Sequence, residues 1–267
     1  MKASLISEYR KLITTRMWWI LLIAMAGYMA FLGAVMAWSI TSAPVDPSSP
    51  LPPVTPELIL SSVYSTAATF GYVFPVIIGA LSVTGEFRHK TITPTFLAEP
   101  NRLRVLWAKL GASVPIGAFY GLAGTLSTAA AGAAVLAVTG HPTLLGDGET
   151  WAALGRSVLA LTLWAPVGVA LGALIINQVV AIIVVLVYTQ FLEAILRLGL
   201  TSIGDAGATI STYLPGAASE AIAGGSIYTS IGIGELLPWG AGVAVLAGYA
   251  VVCSMIAALT TLRRDVA

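Results

Sequence analysis

Six stretches of this chain, residues 18–40, 58–84, 110–139, 157–176, 179–196 and 239–262, are long and almost free of charge. A helix needs about 20 predominantly apolar residues to cross a bilayer. Inside hydrocarbon every backbone N–H and C=O must find a partner within the protein, which restricts spanning segments to helices or closed barrels. The expected fold class is therefore an all-α polytopic membrane protein with six transmembrane helices. Composition leaves little room for anything else. Of 267 residues, 57% are hydrophobic and only 9% charged, whereas a soluble domain carries roughly 25% charged residues.

The polar segments between these runs set the topology. Residues 1–17 put Leu5, Ile6, Tyr9, Leu12 and Ile13 at helical spacing, with Lys2, Arg10, Lys11 and Arg16 around the rest of the surface. That pattern predicts an amphipathic helix lying on the membrane interface, followed by a six-helix membrane domain over residues 18–267. The first apolar run opens on Trp18 and Trp19 at headgroup depth. It starts late and lacks a small-x-small cleavage signal, so it does not read as a removable signal peptide. Residues 41–56, rich in Pro and Ser with Asp46 as their charge, and residues 140–150, acidic through Asp147 and Glu149, read as outer loops. Asn177 and Gln178 leave room only for an antiparallel hairpin between the fourth and fifth spans. Pro75, Pro115 and Pro166 fall within spans, where a proline kinks the helix or is compensated by neighbours. Residues 199–238 are too rich in Gly, Ser and Thr for an ordinary span. Two pieces, 206–213 and 217–223, read as short helices dipping into the outer leaflet, a re-entrant segment between the fifth and sixth spans.

Charge concentrates in one loop. Residues 85–109 hold Glu86, Arg88, His89, Lys90, Glu99, Arg102, Arg104 and Lys109 between the second and third spans. With Lys2, Arg10, Lys11 and Arg16 before the first span and Arg263 and Arg264 after the last, eleven of the thirteen Lys and Arg residues lie on one side. Only Arg156 and Arg197 lie on the other. Positive charge is retained in the cytoplasm, so both termini and this loop are expected there. One or two short helices, broken near Pro94 and Pro100, are expected inside the loop.

Recognisable catalytic motifs are absent from the sequence. It contains no GxxxxGK[ST] phosphate loop, no HExxH pair and no nucleophile elbow. It has two histidines, His89 and His141, and one cysteine, Cys253, which reads as a small packed hydrophobe. No catalytic residue, resident cofactor, metal centre or nucleic-acid partner is expected on this chain. Within the apolar runs, Glu193 precedes Arg197 at i, i+4, the favourable orientation for a helical ion pair. The pair reads either as structural or as part of a substrate path. Tyr64, Phe70, Tyr72 and Phe74 on the second span, and Tyr188 and Gln190 on the fifth, read either as helix contacts or as lining of such a path. Gly117, Gly121, Gly124, Thr128 and Gly132 form a small-residue ladder suited to close helix packing.

Two stretches resemble the transmembrane subunits of type-2 ABC exporters. SEYRKLITTRMWW, residues 7–19, resembles the basic interfacial segment that leads into the first span. GEFRHKTITPTFLAEPNRLRVLWAK, residues 85–109, resembles the cytoplasmic loop of that family, with Glu86 and Thr91 followed by Pro100, Arg102 and Lys109. The resemblance implies a permease of the plasma membrane that works with a second permease chain and with separate cytosolic ABC ATPase subunits, which bind the ATP and Mg. It implies a coupling helix between the second and third spans, with Glu86, Phe87, Arg88, His89, Thr91 and Arg102 as coupling residues. The second and fifth spans would line the path, and the cargo would be an amphiphile such as a drug, peptide or lipid. The alternative is a membrane protein with no ATPase partner, either a secondary carrier or an assembly factor.

Overall fold

A computed structural model describes residues 2–42, 55–230 and 234–261. The segment containing Asp46, and the terminal Arg263 and Arg264, lie outside these residues. All regular structure among the described residues is helical. The helices are α1 (Lys2–Thr14), α2 (Met17–Thr41), α3 (Pro56–Arg88), α4 (Ile92–Ala98), α5 (Arg102–Val138) and α6 (Gly148–Leu174). They are followed by α7 (Gln178–Thr201), α8 (Asp205–Thr212), α9 (Pro215–Ala223), α10 (Ile227–Ser230) and α11 (Trp239–Leu259). Six of them, α2, α3, α5, α6, α7 and α11, are long and apolar enough to cross a membrane. The chain has the architecture of a multi-pass membrane protein.

Local chemistry sets the boundaries. Thr55 caps α3 by accepting from the Leu58 amide, with Pro56 at the first helical position, where its missing N–H costs nothing. Asn101 caps α5 through the Arg104 amide at 3.2 Å. Asn177 accepts from the Val179 and Val180 amides, so the polar break between α6 and α7 is a helix cap as well as a turn. At the other end of α3, the Thr91 amide bonds the Glu86 carbonyl and the Lys90 amide bonds the Phe87 carbonyl. This is the Schellman closure, with Lys90 at φ 57° in the left-handed position that usually holds glycine. It folds α4 back beneath the end of α3.

Several expected boundaries move. The third span is not 110–139 behind a broken loop: residues 102–109 belong to α5, one unbroken helix of 37 residues. At 1.5 Å per residue it is about 55 Å long, well beyond a hydrocarbon core of about 30 Å. Residues 85–109 therefore contain a single short helix of their own, α4, which includes Pro94 and stops before Pro100. The fourth span starts at Gly148, which shortens the predicted outer loop. Two spans also carry π-helical turns, at Leu60–Tyr64 in α3 and Tyr188–Leu192 in α7. Such turns commonly mark functional sites.

The bundle is held by glycine at helix crossings. A methyl group on Gly168 of α6 would collide with the Val76 carbonyl oxygen of α3, and one on Gly79 of α3 with the Ala165 carbonyl oxygen of α6. Gly33 of α2 meets Thr128 of α5 in the same way, and Gly117 and Gly121 of α5 meet Thr162 and Val158 of α6. The predicted ladder on α5 thus serves two neighbours. Backbones can approach this closely only where no side chain intervenes. Around the crossings sits a core that includes Met25, Met29, Ala68, Val76, Tyr120, Leu161 and Ile222. The helix α9 is enclosed by this bundle. All nine of its residues are buried, Ser219 donates to the Ala68 carbonyl of α3 at 3.1 Å, and Gly242 of α11 lies against Ala218.

Gly168→Ala should push α3 and α6 apart and lower the unfolding midpoint of the detergent-solubilised chain by several degrees. Gly248→Ala, where a methyl group meets nothing within 4 Å, should be neutral or slightly stabilising. Thermal unfolding of the two variants beside the parent tests the difference.

Candidate functional site

Two buried charge clusters lie at opposite ends of α3. The first joins α1, α3, α4 and α5. Lys109, on the second turn of α5 and 3% exposed, reaches Glu8 of α1 at 2.5 Å, Glu86 of α3 at 2.8 Å and the Ser82 carbonyl at 3.1 Å. Lys11 completes a ring of alternating charge, bonding Glu8 at 2.7 Å and Glu86 at 2.9 Å. Thr95 of α4 accepts from Lys11 at 3.1 Å and donates to Glu86 at 3.4 Å. Two cations and two carboxylates balance, so the ring carries no net charge. Burial pulls the Lys11 ammonium down, but its bonds to Glu8 and Glu86 outweigh that and leave its pKa raised. Glu8, Lys11 and Glu86 of the ring stand in the wall of a cleft of about 1340 Å³ lined also by Ser7, Arg16, Arg88, His89, Thr91 and Gln178.

The residues expected to couple to a partner separate into two groups here. Arg88, His89 and Thr91 are exposed on the Schellman turn, and Arg88 donates to Gln178 of α7 at 3.3 Å. Arg102 stacks its guanidinium over Phe96 of α4 at 5.1 Å, a cation–π contact that orients α4 against α5. Glu86 and Phe87 face inward instead. Glu86 is 8% exposed inside the ring, and Phe87 packs beside Leu106, Leu110 and Val169. Of the ring, Glu86 alone is among the expected site residues; Glu8, Lys11 and Lys109 are not. The visible signal was Glu8 three residues before Lys11 on one face of a helix.

The second cluster joins α7, α9 and α10. Arg197 bonds Glu193 of its own helix at 2.8 Å and Glu220 of α9 at 2.6 Å. Glu193 Oε1 also accepts from the Ala217 amide at 3.0 Å. Ser226 donates to Glu220 at 2.5 Å, and the Tyr228 ring covers the guanidinium at 4.7 Å. All three charged groups are buried, at 2%, 6% and 1% exposure for Glu193, Arg197 and Glu220. The predicted i, i+4 pair is therefore half of a larger site. Glu220 is not among the expected site residues, although a lone carboxylate in an apolar, small-residue stretch is the usual mark of a polar site in a membrane.

The aromatic and polar residues proposed to line a path are not collinear. Tyr64, in the π turn of α3, is buried and donates to the Thr143 carbonyl beyond the end of α5. Phe70 is half-buried, and Phe74 contacts Tyr28 of α2 with ring centroids 5.9 Å apart. Tyr188 and Gln190 lie in the π turn of α7, half-buried and exposed respectively, directly before Glu193. Tyr72 ties the two spans together. It stacks on Trp164 at 4.4 Å and donates to the Thr189 carbonyl inside that turn at 3.2 Å.

No protein-family model matches this chain, and no curated protein matches it.

Breaking a buried ion pair from one side leaves an uncompensated charge and costs about 3–5 kcal/mol. Lys109→Met should therefore lose that much stability. Lys11→Ala also leaves Glu8 and Glu86 to share one lysine, but at a side chain 40% exposed water can take its place, so it should cost less than Lys109→Met. Denaturant unfolding in mixed micelles measures both.

Proposed function

We propose that this chain is the transmembrane permease subunit of an ATP-driven exporter of the ABC type-2 class, moving an amphiphilic cargo out across the plasma membrane. The observation that carries this reading is the charge ring. Glu8, Lys11, Glu86 and Lys109 weld the interfacial helix α1, the end of α3 and the start of α5 into one body, and Thr95 attaches α4 to it. Coupling to an external motor requires a stiff element whose position differs between motor states. A short helix held by an ion ring and an Arg102–Phe96 contact has that stiffness, with Arg88, His89 and Thr91 displayed beside it for contact.

On this reading both termini are cytoplasmic, α4 is the coupling helix, and the cleft beside it receives a cytosolic ABC ATPase that binds ATP and Mg. The α9 segment is re-entrant from the outer face. Two permease chains, identical or paralogous, form the path between them. Its lining comes from α3 and α7, the two spans with π turns. Ring residues act by transmitting movement, and the exposed turn residues by touching the partner.

A tagged chain purified from its own host should carry an ABC ATPase with it; recovery without one removes the basis of the proposal. Arg88→Ala should leave expression and thermal stability unchanged while reducing transport-coupled ATP hydrolysis at least tenfold in reconstituted vesicles. Unchanged coupling in that variant would remove Arg88 from the contact.

A further inference from the structure

The two charge clusters differ in one respect. At the α1–α5 end two carboxylates face two lysines. At the α7–α9 end two carboxylates, Glu193 and Glu220, face the single guanidinium of Arg197. Fully ionised, this triad holds one excess negative charge in a site where every member is at least 94% buried. Leaving such a charge unbalanced costs several kcal/mol even after relaxation.

The neighbours do not supply the missing cation. From α3 comes the Tyr72 hydroxyl, committed to the Thr189 carbonyl. From α11 comes Tyr249, bonded to the Tyr213 carbonyl at 3.2 Å. Tyr188 and Tyr228 are neutral phenols. Arg156 of α6 packs its guanidinium against Gly224 at the C-terminal end of α9. There it complements the helix dipole, and among the described residues no ion pair joins it to either carboxylate. Meanwhile Glu193 Oε2 is buried with no hydrogen-bond partner.

We propose that the triad is a proton-binding site, and that Glu220 carries one exchangeable proton. The assignment to Glu220 follows from the donors. Glu193 Oε1 is already taken up by three donors, two N–H groups of Arg197 and the Ala217 amide. Glu220 receives one arm of Arg197 and a serine hydroxyl, which can reverse its bond and accept from a carboxylic acid. Burial pushes the Glu220 carboxyl up, with Arg197 and Ser226 pulling it part of the way back. A cavity of about 20 Å³ touches Glu220, Ser226 and Thr229 and reaches the exposed Glu235. That is room for one water, enough to pass a proton between solvent and Glu220. Protonation adds H⁺ to a Glu220 carboxylate oxygen, neutralises the triad and weakens the Arg197–Glu220 contact that holds α9 to α7. The site stands without an ATPase partner; only the side from which the proton arrives rests on the proposed orientation.

Infrared difference spectra of the full chain in detergent, taken through a pH titration, test this directly. The parent should show one carboxylic-acid band that persists above pH 4.5, the ordinary value for the group, and titrates as pH rises. Glu220→Gln should abolish the band. Glu193→Gln removes the excess charge and should weaken proton affinity at least tenfold, moving the titration one pH unit or more toward acid. Thermal unfolding gives an independent sign. A folded pKa above the unfolded one contributes stability in full below pH 4.5 and loses it as pH rises through the folded value. The parent should lose stability across that window, and Glu220→Gln should not. A band that survives Glu220→Gln overturns the proposal, as does a titration unmoved by Glu193→Gln, even if Glu220→Gln fails to fold.

Discussion

A charge held among apolar helices must be neutralised largely where it stands, because burial leaves too little water to do so. The architecture at both ends of this bundle follows from that constraint. Lys109 sits near the start of α5 with 3% exposure, and its two carboxylate partners arrive from helices distant in sequence. Those partners bring α1 and α3 with them. Arg197 does the same for α7 and α9. Each basic residue thereby ties a tertiary arrangement to a contact.

Between the two ends, close approach does the work that charge does at them. Gly79, Gly168 and Gly172 let α3 and α6 cross with backbone against side-chain-free backbone. This matters most where helix association cannot draw on a hydrophobic difference between lipid and protein. The less buried helices, α2, α7 and α11, frame this pair and offer apolar surfaces outward. Burial separates α3 and α6 at the centre from α2, α7 and α11, which turn most of their surface outward.

The spans were legible in sequence because hydropathy is a local property. The break at Asn177 was legible too, whereas the caps that Asn177 and Asn101 form show only in the structure. The extension of α5 through residues 102–109 was not legible. A charged, proline-flanked segment reads as loop, but continued as helix it buries Val105, Leu106 and Ala108 and sets Lys109 against Glu8 and Glu86. Lys90 hid the Schellman turn in the same way, because a left-handed residue is expected to be glycine. The partners of both ion clusters were hidden by separation. Glu8 lies 101 residues from Lys109, and Glu220 lies 23 from Arg197. Nothing short of the folded bundle puts either pair within reach.

The uninterrupted length of α5 has a mechanical meaning. One rod of about 55 Å carries Lys109 near one end and reaches the region of Thr143 at the other, with Pro115 removing a single interior bond. Over that length a tilt of one degree displaces the far end by about 1 Å. Small rotations at the ion ring would therefore reach the far end of the helix as ångström-scale motions, less whatever bending Pro115 allows.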